Sequence, residues 1–355
     1  MTAKKRVILK ETFGDLSYYR FVDDLAPHLR GTLVFQNTLI PGYPHIRRML
    51  RLRAGILKHF QGPFFVEEKV DGYNLRVWRY QGEVLPFTRG GFVDPFAYDR
   101  LSDFGDFHRF FDDHPRKVLV GEMAGPENPY INIWPPNLHE DVAFFIFDVY
   151  DLDRRQYLSP EERYNLLAEY QLPSVRSFGQ FHPQEVHRVE EIVLDLNRQG
   201  IEGVVIKGKN RVLKYATPII NLRDLEADGD KLLELQPAFF LQRIVRIVLG
   251  FDEFGLPLTP EIHQALGRAF LEGFQKALQR VREEGAVYQE FTVRVHHEET
   301  IPRLLDFLNR ASSQIRVEYA GRERIGPLWR ARFRKVYLRS TETLKAYLRG
   351  ETIVD

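Results

Sequence analysis

The stretch "EEKVDGYNLRVWRYQGEVLPFTRGG", residues 67–91, sets Lys69 among strand-forming apolar residues, two places before an Asp71-Gly72 turn. A lysine amine is protonated in water and has no lone pair to give. Low-dielectric surroundings or neighbouring cations release the free amine, which can then attack a carbonyl or a phosphorus. A strand running into a tight turn would hold such an amine rigidly. Beyond Gly72, strand alternation puts Asn74 and Arg76 on one face. The chain turns near Gln81-Gly82 and returns to Arg89, ahead of a glycine pair that lets a ligand approach the backbone closely. Lys-x-Asp-Gly alone is a weak signal, so its surroundings must carry the reading.

Those surroundings are strands. "FFVEEKV", "YNLRVWRY", "VLVGEMAG" and "VAFFIFDVYD" are rich in valine, phenylalanine, tyrosine and isoleucine, with glycine-bearing turns between them. Charged groups recur inside or beside them: Glu122, Asp148, then Glu202 and Lys207 in "EGVVIKG" and Lys214 in "RVLKYA". Charges carried into apolar strands are costly unless they are paired or bind something charged. A polyanion with a metal ion would suit them. In an unbroken strand Glu202 and Lys207 would point to opposite faces, so a bulge or a strand end must come between them.

Outside the strands, Ser159-Pro160-Glu161-Glu162 reads as a capping box opening a helix. A second helix is expected near 185–199, stopped by Gly200. A basic amphipathic helix is expected around "IRRMLRLRAGILKHF", where Arg47, Arg48, Arg51, Arg53 and Lys58 make either a solvated face or an RNA-backbone contact. After about residue 235 the pattern changes to helices at 236–249 and 260–283, then the strand "FTVRVHH", a helix, the strands "QIRVEYA" and 328–337, and a last helix. The class is α+β, with antiparallel sheets flanked by helices. The expected division is a strand and helix module at 1–60, a central domain at 61–235 and a helical and α+β domain at 236–355.

Composition limits the choices. The chain of 355 residues carries 50 basic and 49 acidic side chains, so net charge gives no sign of nucleic acid and any basic footprint must be local. It has no cysteine, which excludes disulfides and thiolate metal sites. No apolar run is long enough to span a membrane and the start lacks a signal-peptide core, so a cytoplasmic protein with no membrane partner is expected.

Taken in order, "KVDGYN", "TRGG", "GEMAG", "FDVYD", "EGVVIK" and "LKY" cover the motifs of a known group. The chain resembles the covalent nucleotidyltransferases, and among them most closely the homodimeric archaeal-type ATP-dependent RNA ligases. The resemblance implies a ligase-type adenylation domain at 61–235 and dimerisation through 236–355. It also implies that Lys69 is the nucleophile that takes AMP from ATP, with Lys207 and Lys214 as cations on the α-phosphate. In the same way Glu67, and with it Glu68, falls at the adenine-reading position, Asn74 near phosphate and metal, Arg89 near the ribose, Glu122 on a ribose hydroxyl and Phe147 on the adenine face. Glu202 would hold Mg²⁺ or Mn²⁺ through water, with Asn74 as a further metal contact. The implied partner is RNA, single-stranded or as broken ends, with DNA ends as a further substrate. Ala216 stands where motif V usually has a second lysine, and no downstream OB domain is visible. The rival readings are a capping-type guanylyltransferase, a DNA ligase and a non-catalytic RNA-binding relative.

Overall fold

The computed structural model describes residues 7–131 and 133–351. In chain order, β1 (Ile8–Phe13), β2 (Leu16–Phe21), β3 (Leu33–Phe35) and β4 (Thr38–Ile40) come first. The two-residue strand β5 (Arg47–Arg48), helix α1 (Leu52–His59), and strands β6 (Phe64–Lys69), β7 (Tyr73–Tyr80) and β8 (Glu83–Thr88) follow. Helices α2 (Pro95–Arg100) and α3 (Phe107–Asp113) lead to β9 (Lys117–Ala124), β10 (Ala143–Asp151) and β11 (Gln156–Tyr157). Then come α4 (Pro160–Glu169), β12 (Ser177–Phe181), α5 (Val186–Gln199), β13 (Gly203–Gly208) and β14 (Arg211–Ala216). The remainder is α6 (Pro218–Asp228), α7 (Pro237–Glu253), α8 (Pro260–Glu284), β15 (Tyr288–Val295), α9 (Thr300–Ala311), β16 (Ile315–Ile325), β17 (Leu328–Tyr337) and α10 (Leu338–Leu348).

Local chemistry accounts for the element ends. Gln81 and Gly82 both take positive φ, 51° and 90°, as a two-residue hairpin turn between β7 and β8 demands. Ser159 and Glu162 form the expected capping box on α4. Gly200 ends α5 in the left-handed region.

The chain packs as two compact units. The first contains residues 1–46, 72–124 and 143–175. It holds the β1-β2-β3-β4 meander and a five-stranded sheet in the order β11-β10-β9-β7-β8. Tyr18 stacks on Phe35, and Phe35 meets Phe87 edge-on, which builds the apolar centre of this unit. Arg76 lies inside it, 1% exposed. Its guanidinium donates to the carbonyls of Pro41 and Gly31, both at 2.7 Å. Burial lowers its pKa to about 10, yet it stays charged at neutral pH. Arg76 therefore ties the meander to the sheet.

The second unit contains residues 47–71, 125–142 and 176–355. Its central sheet has the order β12-β6-β13-β14-β5. One face of that sheet is apolar: Phe64, Val66, Val204, Ile206 and Leu213 pack with Leu52 and Ile56 of α1 and with Val189, Val193 and Leu196 of α5. In the C-terminal part, Ile262, Leu266 and Phe270 of α8 pack with Leu225, Phe240 and Ile247. The sheet β15-β17-β16 is held to the 125–142 segment where Glu127 meets Arg294 at 2.8 Å and Arg330 at 3.2 Å.

The expected basic helix is shorter than its pattern suggested. It starts at Leu52, and Arg47 and Arg48 form β5, paired parallel with β14. Two of its arginines already face acids: Arg51 pairs with Asp252 and Arg53 with Glu190. A strand of two residues has no periodicity to read; it exists because β14 offers an edge.

Candidate active site

The second unit carries Lys69 at the end of β6. Register fixes which side chains share its face. Gly203 lies opposite Lys69, Val205 opposite Glu67 and Lys207 opposite Phe65. Lys214 lies opposite Val205, and Arg48 beside Lys214. Alternation then puts Lys69, Glu67, Lys207, Lys214 and Arg48 on one face, with the apolar core on the other. Glu68 falls on the core side, opposite Val204, so it is not brought to Lys69. Burial raises the pKa of its carboxyl, and Arg176 opposes that shift.

Lys69 Nζ is 2.5 Å from Glu202 Oε2. Arg48 stands 3.9 Å from the other oxygen of that carboxylate. Lys207 and Glu67 form a second pair at 3.0 Å, 7% and 1% exposed. The parity problem resolves at a strand end: β13 begins at Gly203, so Glu202 precedes the strand and escapes its alternation. Gly203 is required there. Its φ is +146°, and a Cβ would lie 2.1 Å from the carbonyl oxygen of Tyr215.

The first unit carries a second set of candidates on its five-stranded sheet. Asn74 lies opposite Glu122, and Glu122 opposite Phe145. Gly72 lets the backbone close on them, since a Cβ there would come within 2.8 Å of Glu122 Cγ. Phe147 occupies a bulge between Ile146 and Asp148 that breaks alternation. Phe147 and Asp148 consequently both reach Tyr43, the ring edge-on at 5.4 Å and the carboxylate at 2.6 Å from the Tyr43 hydroxyl. Burial, then Asp148, drives the Tyr43 pKa well up, so Tyr43 donates. Asn74 Oδ1 is buried and accepts no hydrogen bond among the described residues. Arg89 is exposed at the end of the β7-β8 hairpin.

Sequence reading passed over three residues. Arg163, 1% exposed, donates to the Phe147 carbonyl and stands 3.8 Å from Asp148, so it fixes the bulge. Arg48 was read as part of a helix face. Arg246 on α7 left no sequence signal; its electrostatic neighbours are Arg48, Arg243, Asp224 and Glu202.

Among the described residues no three His, Asp or Glu side chains gather as a metal cage. The Glu202 carboxylate is nonetheless an oxygen donor of the kind that suits Mg²⁺ or Mn²⁺ held mainly by water and phosphate.

Comparison with known proteins shows the family of the chain. The RNA ligase family model matches residues 62–216, and the model of the ligase Pab1020 C-terminal region matches residues 230–351. A solved structure from Aquifex aeolicus, assigned provisionally as an ATP-dependent DNA ligase, is 38% identical, with a TM-score of 0.92, covering 98% of this chain and 97% of that one. An archaeal ATP-dependent RNA ligase is 30% identical with a TM-score of 0.87, covering 97% of this chain and 93% of that one. An uncharacterized protein of Methanocaldococcus jannaschii is 28% identical, covering 98% of this chain and 91% of its own length. The chain belongs to the RNA ligase family of covalent nucleotidyltransferases.

Proposed function

We propose that this protein is an ATP-dependent RNA ligase that joins 5′-phosphate and 3′-hydroxyl RNA ends through a lysyl-AMP intermediate. The observation that carries the reading is the charged face of the central sheet, where Lys69 meets Glu202 and shares its side with Lys207, Lys214 and Arg48. In the first step the Lys69 ammonium gives a proton to solvent, its lone pair forms a bond to the α-phosphorus, and the bonded nitrogen loses a second proton. The bond from that phosphorus to the bridging oxygen breaks, and pyrophosphate leaves. In the second, an oxygen of the RNA 5′-phosphate takes the AMP, the P–N bond breaks and Lys69 recovers both protons. In the third, the 3′-hydroxyl attacks that 5′-phosphorus, loses its proton and expels AMP.

The protein's own groups have clear tasks in this scheme. While Glu202 holds Lys69 as an ammonium the amine cannot attack. A divalent metal bound at Glu202 would neutralise phosphate charge and compete with Lys69 for that carboxylate. Lys207 and Lys214 stabilise the phosphate charge in the transition state. Glu67 anchors Lys207 and reads the adenine amine. Glu122 and Arg89 hold the ribose, and Phe147 stacks on the base, worth about 1–3 kcal/mol. Residues 61–235 carry this chemistry, and residues 236–355 form a homodimer. Leu241, Val245 and Val248, spaced along one stripe of α7 and exposed, support that assembly.

The test is intact-mass measurement after incubation with ATP and Mg²⁺, followed by peptide mapping. Wild type gains the mass of AMP on Lys69, and Lys69→Ala gains none while folding normally. An adduct on Lys69→Ala at wild-type level would refute the assignment. Labelling by GTP and not ATP would favour a guanylyltransferase. The Aquifex aeolicus relative supports a second reading, sealing of DNA ends, and parallel assays on nicked RNA and nicked DNA decide between the two.

A further inference from the structure

The cations around Lys69 in the second unit are not all accounted for by the acids beside them. Glu202 takes Lys69 at 2.5 Å, Glu67 takes Lys207 at 3.0 Å and Asp224 takes Arg243 at 2.7 Å. Two guanidiniums are left in excess. Arg48 has only the outer oxygen of Glu202, at 3.9 Å, and is 21% exposed. Arg246 donates to the neutral Gln242 oxygen at 3.1 Å. Its Nε is buried and has no partner among the described residues. Burying an Arg donor without an acceptor costs on the order of 1–3 kcal/mol or more, a cost that an arriving acceptor would relieve. Arg246 lies one turn from Arg243 on α7, and Arg48, Arg243, Asp224 and Glu202 are its electrostatic surroundings. Burial, then repulsion by Arg48 and Arg243, lowers its pKa to about 10, so it remains a cation at neutral pH.

An anion is the only ligand class that satisfies two crowded, under-paired guanidiniums. Its place follows from Glu202, whose carboxylate touches the nucleophile with one oxygen and faces Arg48 with the other. An anion on Arg48 would therefore lie beside the group that holds the carboxylate touching Lys69 Nζ. Resting on the proposed adenylation, we infer that Arg48 and Arg246 bind the β- and γ-phosphates of ATP and hold the departing pyrophosphate during attack by Lys69. As the α-phosphorus bond to the bridging oxygen breaks, its electron pair moves onto the pyrophosphate, and the two guanidiniums receive that charge. In the reverse reaction they hold the pyrophosphate whose oxygen attacks lysyl-AMP and returns the amine to Lys69. Arg246 lies in the C-terminal region, so this region takes part in the first chemical step in addition to any role in assembly.

The experiment compares wild type, Arg246→Ala, Arg246→Lys and Arg48→Ala, each checked for an unchanged melt. Calorimetry measures binding of AMP and of the uncleavable α,β-methylene analogue of ATP. A second assay measures the pyrophosphate concentration that half-discharges preformed lysyl-AMP. Arg246→Ala and Arg48→Ala should weaken the analogue and raise the pyrophosphate requirement by on the order of tenfold or more, with AMP binding unchanged. Arg246→Lys, which keeps charge but loses the fork, should fall between. Equal binding of the analogue by wild type and both alanine variants would overturn the inference. So would normal pyrophosphate discharge coupled with impaired AMP transfer to 5′-phosphorylated RNA, which would give these arginines to the RNA end. A wild-type protein that takes no AMP from ATP would instead remove the functional reading on which the inference stands.

Discussion

Lys69 meets the Glu202 carboxylate, and the proposed chemistry starts from that contact. The 2.5 Å pair with Glu202 fixes where the amine points. Arg163 has the matching role on the other set of candidates. It is 1% exposed, donates to the Phe147 carbonyl and faces Asp148. Arg163→Ala would remove the donor to the Phe147 carbonyl and the guanidinium beside the buried Asp148 carboxylate. It should cost about 2–4 kcal/mol of stability and weaken AMP binding through the displaced Phe147 ring. Urea unfolding and AMP titration check this; unchanged values for both would show that the bulge holds itself. Arg163 was invisible in sequence because it reads as one more polar position on an ordinary helix. Phe147 and Lys69 were visible because their motifs are contiguous.

Among the elements, the order of strands in the central sheet decides which charges meet. β6, β13, β14 and β5 present Lys69, Lys207, Lys214 and Arg48 to the same side by register alone. Alternation in "FFVEEKV" could be read along one strand, and it separates Glu67 from Glu68. The partner of each strand could not be read, since β5 and β14 lie far apart in sequence and β5 has only two residues. The crossing of β13 past Lys69 depends on Gly203. Gly203→Ala forces a Cβ toward the Tyr215 carbonyl at a φ of +146°. It should destabilise by roughly 1–3 kcal/mol and slow AMP adduct formation by shifting the adjacent Glu202. A melt and an adduct time course test it, and a variant as stable and as fast as wild type would mean the strand end yields without strain.

At the scale of the whole molecule, the C-terminal elements followed their periodicity closely. α8 was expected at 260–283 and runs Pro260–Glu284, because its apolar side is strongly periodic and Thr259-Pro260 and Gly285 mark its ends. Among the described residues no helix is long and apolar enough to cross a membrane. If the homodimer forms through α7, Leu241→Glu with Val245→Glu should convert it to a monomer in light scattering; an unaltered mass would place the interface elsewhere. The half-buried Lys335 makes stability depend on pH. Burial, then Lys231, lowers its pKa to about 8 from an ordinary 10.5, with Asp228 opposing. Between those values the unfolded chain binds more protons than the folded one, so stability rises with pH across that window. Below about pH 8 the lysine is charged in both states and its full burial cost stands. Lys335→Met should therefore raise the melting temperature most at pH 7, with the gain shrinking toward pH 10.5. A gain of the same size at every pH would exclude this lysine as its source.

From the sequence alone came Lys69 as the proposed nucleophile, the motif order, the α+β class and most element boundaries, because each rests on neighbours within a few residues or on a local period. The tertiary structure alone decided that Glu202 clasps Lys69, that Glu67 takes Lys207, that Arg76 is a bracket buried in the first unit, and that Arg48 and Arg246 are left in surplus. Those outcomes depend on which distant strands and helices share an edge or a face. Pairing of buried charges is a property of three-dimensional neighbours, and no window of the chain contains both partners.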